Sequence, residues 1–252
     1  MSNLFSRQRG EGKVMLFIHG FPMHQAVWDD FGQRFADTHK VVTIDLPGFG
    51  KSPILPNAFT IDQVADQLVQ FILEEKLLNV VLVGHSLGGY VALSMISKRP
   101  DLFSGLVLFH STALADSEEK KQSRDKAVDF IEKNGVQTFT TNFIAPLFAD
   151  PAHRAIERVK EIASQSTKDA VVGYTKAMRN RPDQTKTLKS FKKPTLFLAG
   201  EKDQGIPVDS IYKQAADCQY AEIHILHDVG HMGMFEKPEE VSVKIKHFLN
   251  KT

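Results

Sequence analysis

Short apolar runs recur along the chain, and stretches with helical periodicity separate several of them. Runs rich in Val, Ile, Leu and Phe are typical of strands that are buried on both faces of a parallel sheet. Thr60 and Gln63 form a candidate capping box before apolar residues at helical spacing. Strand and helix therefore alternate, which predicts an open, mostly parallel sheet with helices on both faces, an α/β fold. The predicted strands are Val14 to Ile18, Val41 to Ile44, Val80 to Val83, Leu106 to Phe109, Thr195 to Leu198 and Ile223 to Leu226.

One interval breaks the alternation. From about Thr112 to about Phe191 the sequence has no strand-like run, and charged residues are dense, as in DSEEKKQSRDK. Helical patterns dominate there, for example around Ile131 before a stop at Gly135. We therefore predict a core domain over residues 1–111 and 191–252 and a helical insertion over residues 112–190.

Length and charge exclude several classes of protein. A chain of 252 residues can bury a sizeable core as one large α/β domain. The 31 Lys and Arg residues against 30 Asp and Glu residues leave no basic excess for a nucleic-acid backbone. The single cysteine, Cys218, cannot form an internal disulfide. The first twenty residues hold only VMLFI as an apolar run, too short for a signal peptide or a membrane span, so we expect a cytoplasmic protein.

The segment DLPGFGKS, residues 45–52, ends like a nucleotide-binding P-loop. That motif needs a glycine five places before the glycine of its Gly-Lys-Ser/Thr, because the first turn starts the backbone nest around the phosphates. Asp45 occupies this position relative to Gly50. We therefore expect no nucleotide here, and the two glycines need another explanation.

The segment GHSLGG follows the predicted strand NVVLV and precedes a helical pattern. Ser86 lies between Gly84 and Gly88, which is the G-x-S-x-G pattern of a nucleophile elbow at a strand-to-helix turn. The alternative is a tight turn whose serine caps the helix. Residues elsewhere have to decide between the two.

Candidate partners for Ser86 follow two further strands. A serine nucleophile needs a base to accept its proton, and the base needs an orienting carboxylate. Asp203 comes just beyond the run TLFLAG, and His231 comes just beyond the last predicted strand. All three residues would lie at the carboxyl ends of parallel strands, where open α/β sheets build their sites. Their chain order is Ser, Asp, His.

The sequence resembles the α/β-hydrolase family along nearly its whole length. The resemblance rests on FIHGFP (17–22), DLPGFGKS (45–52), VGHSLGG (83–89), LAGEKDQGIP (198–207) and VGHMGMFEKPEE (229–240). It implies an α/β-hydrolase fold in which residues 112–190 form a helical cap over the catalytic pocket. DLPGFGKS then becomes a loop beside that pocket, with a solvated Lys51.

The resemblance also assigns roles to residues around the elbow. It implies an oxyanion hole formed by the backbone N–H groups of Leu87 and Phe21. His19 is expected to hold its loop in place, and His85 is expected to point away from the nucleophile. Asp45 is a rival orienting acid.

Other histidines carry weaker hypotheses. His227 and His231 have the spacing of a zinc-binding H-x-x-x-H helix, but the residues between them lack the glutamate and the helical pattern of such sites. We therefore expect neither a metal nor another cofactor. In the family, the acid can also follow the strand LVLFH, but this chain has His110 and Ser111 there and no carboxylate.

The cap should set specificity. The residues predicted to line the substrate pocket are Phe143, Phe148, Met178 and Met232, although helical spacing also fits packing of the cap onto the core. Arg179 and Arg181 are candidate clamps for a carboxylate. Before FIHG, the chain has room for only one leading strand, expected near Asn3 to Arg7.

The resemblance implies a serine hydrolase that cleaves a small carboxylic ester through an acyl-serine intermediate. Lactonase, thioesterase, perhydrolase and carbon–carbon hydrolase activities are nearby alternatives. A different class is a triad-bearing receptor for a small ligand with little turnover. The expected partner is a small molecule, and the oligomeric state is open.

Overall fold

A computed structural model describes residues 3–56 and 58–252. Within them seven strands form one sheet in the order β1-β3-β2-β4-β5-β6-β7. Strand β1 pairs antiparallel with β3, and the other neighbours are parallel. The predicted strands and the predicted mostly parallel sheet are confirmed. The strands are β1 (Ser6–Arg9), β2 (Lys13–Ile18), β3 (His39–Ile44), β4 (Val80–His85), β5 (Phe103–Phe109), β6 (Thr195–Gly200) and β7 (Ala221–Leu226).

The single predicted leading strand also forms, and it ends at Arg9, two residues beyond the predicted end at Arg7. Ser6 pairs with Ile44, and Arg9 pairs with Val41. The strand ends before the turn at Gly10 and Gly12, both of which have positive φ angles.

Helices flank this sheet and fill the interval between β5 and β6. Thr60 and Gln63 form the predicted capping box: Gln63 N–H donates to Thr60 Oγ1 at 3.2 Å, and Thr60 N–H donates to Gln63 Oε1 at 2.9 Å. The predicted stop at Gly135 is a kink inside one long helical segment, where φ is 82°. The α-helices are α1 (Asp29–Gln33), α2 (Ile61–Glu74), α3 (Leu87–Lys98), α4 (Glu118–Ile144), α5 (Ile156–Ser164), α6 (Lys168–Arg179), α7 (Thr185–Ser190), α8 (Val208–Ala216), α9 (Gly233–Glu236) and α10 (Pro238–Leu249).

Both faces of the sheet are buried. Leu16 and Ile18 of β2 belong to one hydrophobic cluster, whereas Met15 and Phe17 belong to the other. This division follows from the alternation of side chains along a strand. It explains why the central strands have continuous apolar runs.

The described residues include no helix that is both long and apolar enough to span a bilayer. The longest helix, α4, begins with the charged sequence EEKKQSRDK.

Candidate active site

The DLPGFGKS loop is organised around the carboxylate of Asp45. This buried side chain accepts hydrogen bonds from Gln25 N–H at 2.8 Å and from Lys51 N–H at 2.9 Å. Gly50 has φ 55°, and a Cβ there would lie 2.2 Å from Asp45 Oδ2. The glycine is therefore required for the turn. Asp45 therefore binds backbone N–H groups, whereas the ring of the candidate base, His231, is bonded to Asp203.

His19 joins this loop to the segment that follows β2. Leu46 N–H donates to His19 Nε2 at 3.0 Å, and His19 Nδ1 donates to Gly20 O at 3.0 Å. Burial lowers the pKa of His19 to about 4, so the ring is neutral near pH 7. These contacts fit the structural role expected from the sequence.

Ser86 lies in a strained turn between β4 and α3. Its φ of 52° and ψ of −114° fall outside the regions that L-residues prefer. The turn brings α3 close to β2, since a Cβ at Gly88 would lie 2.2 Å from Ile18 O. The backbone thus has the conformation that the G-x-S-x-G pattern predicts.

Asp203 and His231 meet at the same end of the sheet. His231 Nδ1 donates to Asp203 Oδ2 at 2.7 Å, and the Asp203 side chain is almost fully buried. Asp203 Oδ1 accepts from Gly205 N–H at 2.8 Å and from Ile206 N–H at 3.2 Å. Burial alone would raise the pKa of Asp203, but the neighbouring His231 and His110 rings lower it overall, so it is ionised near pH 7.

His110 is a second imidazole on the same carboxylate, and sequence reasoning did not assign it a role. Its Nδ1 lies 3.3 Å from Asp203 Oδ2, and Gly233 N–H donates to its Nε2 at 3.3 Å. Gly200 N–H also approaches Nδ1, at 3.2 Å. A ring protonated at Nδ1 satisfies both the Asp203 and the Gly233 contacts, so we assign that tautomer. Burial lowers the pKa of His110 despite the carboxylate beside it.

The segment around His231 is held from several sides. His231 N–H donates to Leu147 O at 2.6 Å. The Glu236 carboxylate accepts from Ala149 N–H at 2.8 Å, from Met232 N–H at 3.0 Å and from Gly230 N–H at 3.1 Å. These bonds fix the His231 segment against the chain that follows α4.

His85 supports His231 from behind. Its Nε2 donates to the His231 carbonyl at 2.8 Å, and the two ring centroids are 5.0 Å apart. Burial lowers the pKa of His85 well below its usual value. His85 is therefore a neutral ring that holds the His231 backbone through a hydrogen bond.

Ser86, Asp203 and His231 line one cavity of about 510 Å³. In the described part of the chain, no hydrogen bond joins Ser86 Oγ to the His231 ring. Such bonds often tighten only when substrate binds. The apolar part of the cavity wall comes from Phe21, Phe143, Pro146, Leu147, Met178 and Ile206.

Two of the predicted pocket residues, Phe143 and Met178, lie in this cavity wall. Phe148 and Met232 lie elsewhere, which corrects their assignment. Met232 is fully buried in the hydrophobic cluster that contains Met15 and Phe17 of β2. Phe148 belongs to that cluster as well, stacked on His153 at 5.1 Å.

The candidate carboxylate clamps also have other partners. Arg179 is bonded to Asp125 at 2.6 Å. Arg181 is bonded to Asp116 at 2.7 Å, and its guanidinium stacks 3.9 Å from the Tyr90 ring.

His227 and His231 have different partners, so their spacing does not bring them together as ligands. His227 is exposed and contacts Glu201 at 2.7 Å, whereas His231 contacts Asp203.

The N–H groups of Phe21 and Leu87, predicted to form the oxyanion hole, belong to residues in or next to the cavity wall. Leu87 is the first residue of α3, where N–H groups have no partner within the helix. Among the described residues, neither N–H group has a hydrogen-bond acceptor. Phe21 lines the cavity, and Leu87 directly follows Ser86.

Comparisons with known proteins agree with this architecture. A family model for the alpha/beta hydrolase fold matches residues 13–238. The chain therefore belongs to the α/β-hydrolase family, which confirms the resemblance and the fold class.

Individual relatives are similar to this chain over nearly their full length. The uncharacterized hydrolase YugF of Bacillus subtilis is 26% identical, covering 94% of this chain and 90% of that protein. A 2-succinyl-6-hydroxy-2,4-cyclohexadiene-1-carboxylate synthase of Escherichia coli is 26% identical, with 93% of each chain covered. The structure of a thermophilic esterase from Thermogutta terrifontis superimposes with a TM-score of 0.92 at 29% identity, covering 98% of this chain and 93% of that one. The similarity to relatives named as a hydrolase and as an esterase supports the conclusion that this chain is a hydrolase.

Proposed function

We propose that this protein is a serine hydrolase that cleaves a small carboxylic ester through an acyl-serine intermediate. The observation that carries the proposal is the meeting of Ser86, in its strained turn, with the His231–Asp203 pair in one cavity. A structural capping serine would need neither an imidazole nor a buried carboxylate beside it. Similarity to proteins named as a hydrolase and as an esterase also supports this reaction.

In the proposed mechanism, Ser86 Oγ attacks the ester carbonyl while His231 Nε2 accepts its proton. His231 then gives this proton to the leaving alcohol, and the acyl group stays on Ser86. A water molecule, deprotonated by His231, then attacks the acyl carbonyl. The bond between the acyl group and Ser86 Oγ breaks, His231 returns the proton to Oγ, and the acid is released. Asp203 orients the ring through Nδ1 and stabilises the imidazolium.

The N–H groups of Phe21 and Leu87 are proposed to bind the oxyanion of each tetrahedral intermediate. Both are backbone donors that have no hydrogen-bond acceptor among the described residues. Donors fixed in this way stabilise negative charge without reorganising, and one of them contributes about 10²–10³ in rate.

We further propose that residues 112–190 act as a cap domain over a core of residues 1–111 and 191–252. Phe143 and Leu147, at the end of α4 and just beyond it, contribute to the cavity wall, as does Met178 of α6. Movement of these helices would then control entry of the substrate.

The test is steady-state hydrolysis of p-nitrophenyl esters with acyl chains from acetyl to octanoyl. We expect many turnovers by the wild type and a loss of up to about 10⁶ in kcat for Ser86→Ala. Labelling by a fluorophosphonate, located by mass spectrometry, should fall on Ser86. A folded wild-type protein that hydrolyses every ester once or not at all would contradict the proposal and favour a small-ligand receptor.

A further inference from the structure

The wall of the candidate catalytic cavity is positively charged on one side. Lys120, Ser123 and Arg124 of α4 line the cavity, and so does Lys202 in the segment after β6. Positions 120, 123 and 124 share one face of a helix, because residues three and four apart are neighbours on its surface.

The acids of α4, a helix that the structure describes in full, do not line the cavity, and two of them pair with other residues. Glu118 is exposed and bonded to Lys121 at 2.7 Å, and Asp125 is bonded to Arg179 at 2.6 Å. Among the described residues that line the cavity, the only carboxylate is Asp203, which is already bonded to His231.

Arg124 is only partly neutralised. Its Nε donates to the buried Asp116, but Arg181 also bonds to that carboxylate, at 2.7 Å. One negative charge is thus shared by two guanidinium groups. Within the part of the chain that the structure describes, neither Nη group of Arg124 has a hydrogen-bond acceptor. The outer edge of a guanidinium binds carboxylates in a two-point geometry.

The two lysines have weak partners. Lys120 Nζ donates to the Gly205 carbonyl at 3.0 Å, a neutral acceptor. Lys202 Nζ lies 3.9 Å from Asp228 Oδ1, and both side chains are more than half exposed. An ion pair with this geometry contributes little, so Lys202 is free to turn toward a ligand.

Other residues of the cavity wall are apolar, namely Phe21, Phe143, Leu147 and Met178. A molecule that complements both the cationic and the apolar residues has an apolar body and an anionic group. Charge interactions inside such a cavity are stronger than in bulk water because the local dielectric is lower.

We propose that the cavity selects esters that carry a free carboxylate in addition to the scissile ester, and that Lys120, Arg124 and Lys202 bind this carboxylate. The inference rests on the proposed function, because it specifies the substrate class of the same site. The carboxylate can belong to the acyl part or to the alcohol part of the ester, and the experiment separates the two.

The experiment compares each charged ester with its methyl-capped counterpart. In the acyl arm, mono-p-nitrophenyl glutarate is compared with p-nitrophenyl methyl glutarate. In the alcohol arm, the butyrate ester of 4-hydroxybenzoate is compared with that of methyl 4-hydroxybenzoate. In at least one arm, the charged-to-capped ratio of kcat/KM should fall at least tenfold in Arg124→Gln and in Lys120→Gln. It should also fall with added salt in the wild type.

Lys121→Gln is the matched control, because Lys121 neighbours Lys120 in sequence but is bonded to Glu118 and does not line the cavity. Its ratio should equal that of the wild type. Lys120→Gln guards against misfolding, because Lys120 donates only to a backbone carbonyl, whereas Arg124 also holds the buried Asp116. Unchanged ratios in both arms, or an equal fall in Lys121→Gln, overturn the inference.

The failure of this inference can be told apart from the failure of the proposed function. Turnover of capped esters that depends on Ser86 but shows no charge preference leaves the proposed function intact and removes the inference. If no ester turns over, calorimetry measures the binding of esters to Ser86→Ala, and this binding tests the charge preference. Monoethyl glutarate should bind at least tenfold more tightly than diethyl glutarate, and adding Arg124→Gln should abolish the difference. Equal binding of both overturns the inference.

Discussion

His110 and His231 both contact the same oxygen of Asp203, at 3.3 Å and 2.7 Å. With Oδ1 bonded to Gly205 and Ile206, the carboxylate has hydrogen-bond donors on both oxygens. A buried carboxylate held in this way stays ionised and keeps a fixed orientation. His231 is therefore presented to the cavity by a carboxylate that is itself rigidly supported.

Replacing Asp203 by Asn should lower kcat by about 10⁴, because the amide favours the wrong tautomer of the base. The measurement is kcat for p-nitrophenyl butyrate, with circular dichroism to verify folding. Asp228→Asn is the matched control, since Asp228 is exposed and lies three residues before His231. Activity of Asp203→Asn within tenfold of the wild type would remove Asp203 from the mechanism.

Replacing His110 by Asn tests whether the second imidazole positions Asp203. His110 has φ 48°, a conformation that Asn tolerates better than other residues do. Loss of one hydrogen bond to a charged group should lower kcat about tenfold and leave KM within about twofold. A purely structural role would lower the Tm while kcat per folded molecule stayed constant, so both quantities are measured.

Much of the fold could be predicted because strands buried on both faces carry continuous apolar runs. β4 and β6 are fully buried, and both were predicted to within two residues of their observed ends. Ser86, Asp203 and His231 could be singled out because each directly follows a strand or lies just beyond one.

The residues that sequence reasoning missed depend on contacts between distant segments. His110 reaches Asp203 because β5 pairs with β6, and Glu236 binds N–H groups 87 residues away at Ala149. Neither contact has a local sequence signal. Phe148 was misassigned for the same reason: helical spacing defines a face, but the sequence does not say whether the cavity or the core covers it.

Stability should depend on pH between about 6.5 and 4. Burial lowers the pKa values of His19, His85 and His110 in the folded state, so the unfolded chain binds more protons in this range. The free energy of unfolding therefore falls as the pH falls. For His19, a pKa of about 4 instead of 6.5 corresponds to about 3 kcal/mol at the full extent. Asp203, whose pKa is also lowered, loses its contribution only below its usual value of 3.8.

Urea unfolding at pH 7.5, 6.5, 5.5 and 4.5 measures this dependence. His19→Asn should be less stable at every pH but should have a shallower slope, by up to one proton. A wild-type free energy that stays constant from pH 6.5 to 4.5 would show that these rings are not held neutral.

Glu236 should be required to hold His231 in position. Its carboxylate accepts hydrogen bonds from the N–H groups of Gly230 and Met232, on either side of His231, and from that of Ala149. Glu236→Ala leaves these donors without their acceptor, and hydrogen bonds to a charged group contribute about 1.5–3 kcal/mol each. We expect the free energy of unfolding to fall by at least about 2 kcal/mol, and kcat to fall further than the folded fraction does, because the released segment carries the proposed base.

Glu240→Gln is the control, since Glu240 pairs with Lys237 at 3.6 Å on the surface. Urea unfolding and kcat for p-nitrophenyl butyrate are measured on both variants. A stability loss in Glu236→Ala with unchanged kcat per folded molecule would mean that Ala149 and Leu147 do not need to be tied to the His231 segment for catalysis.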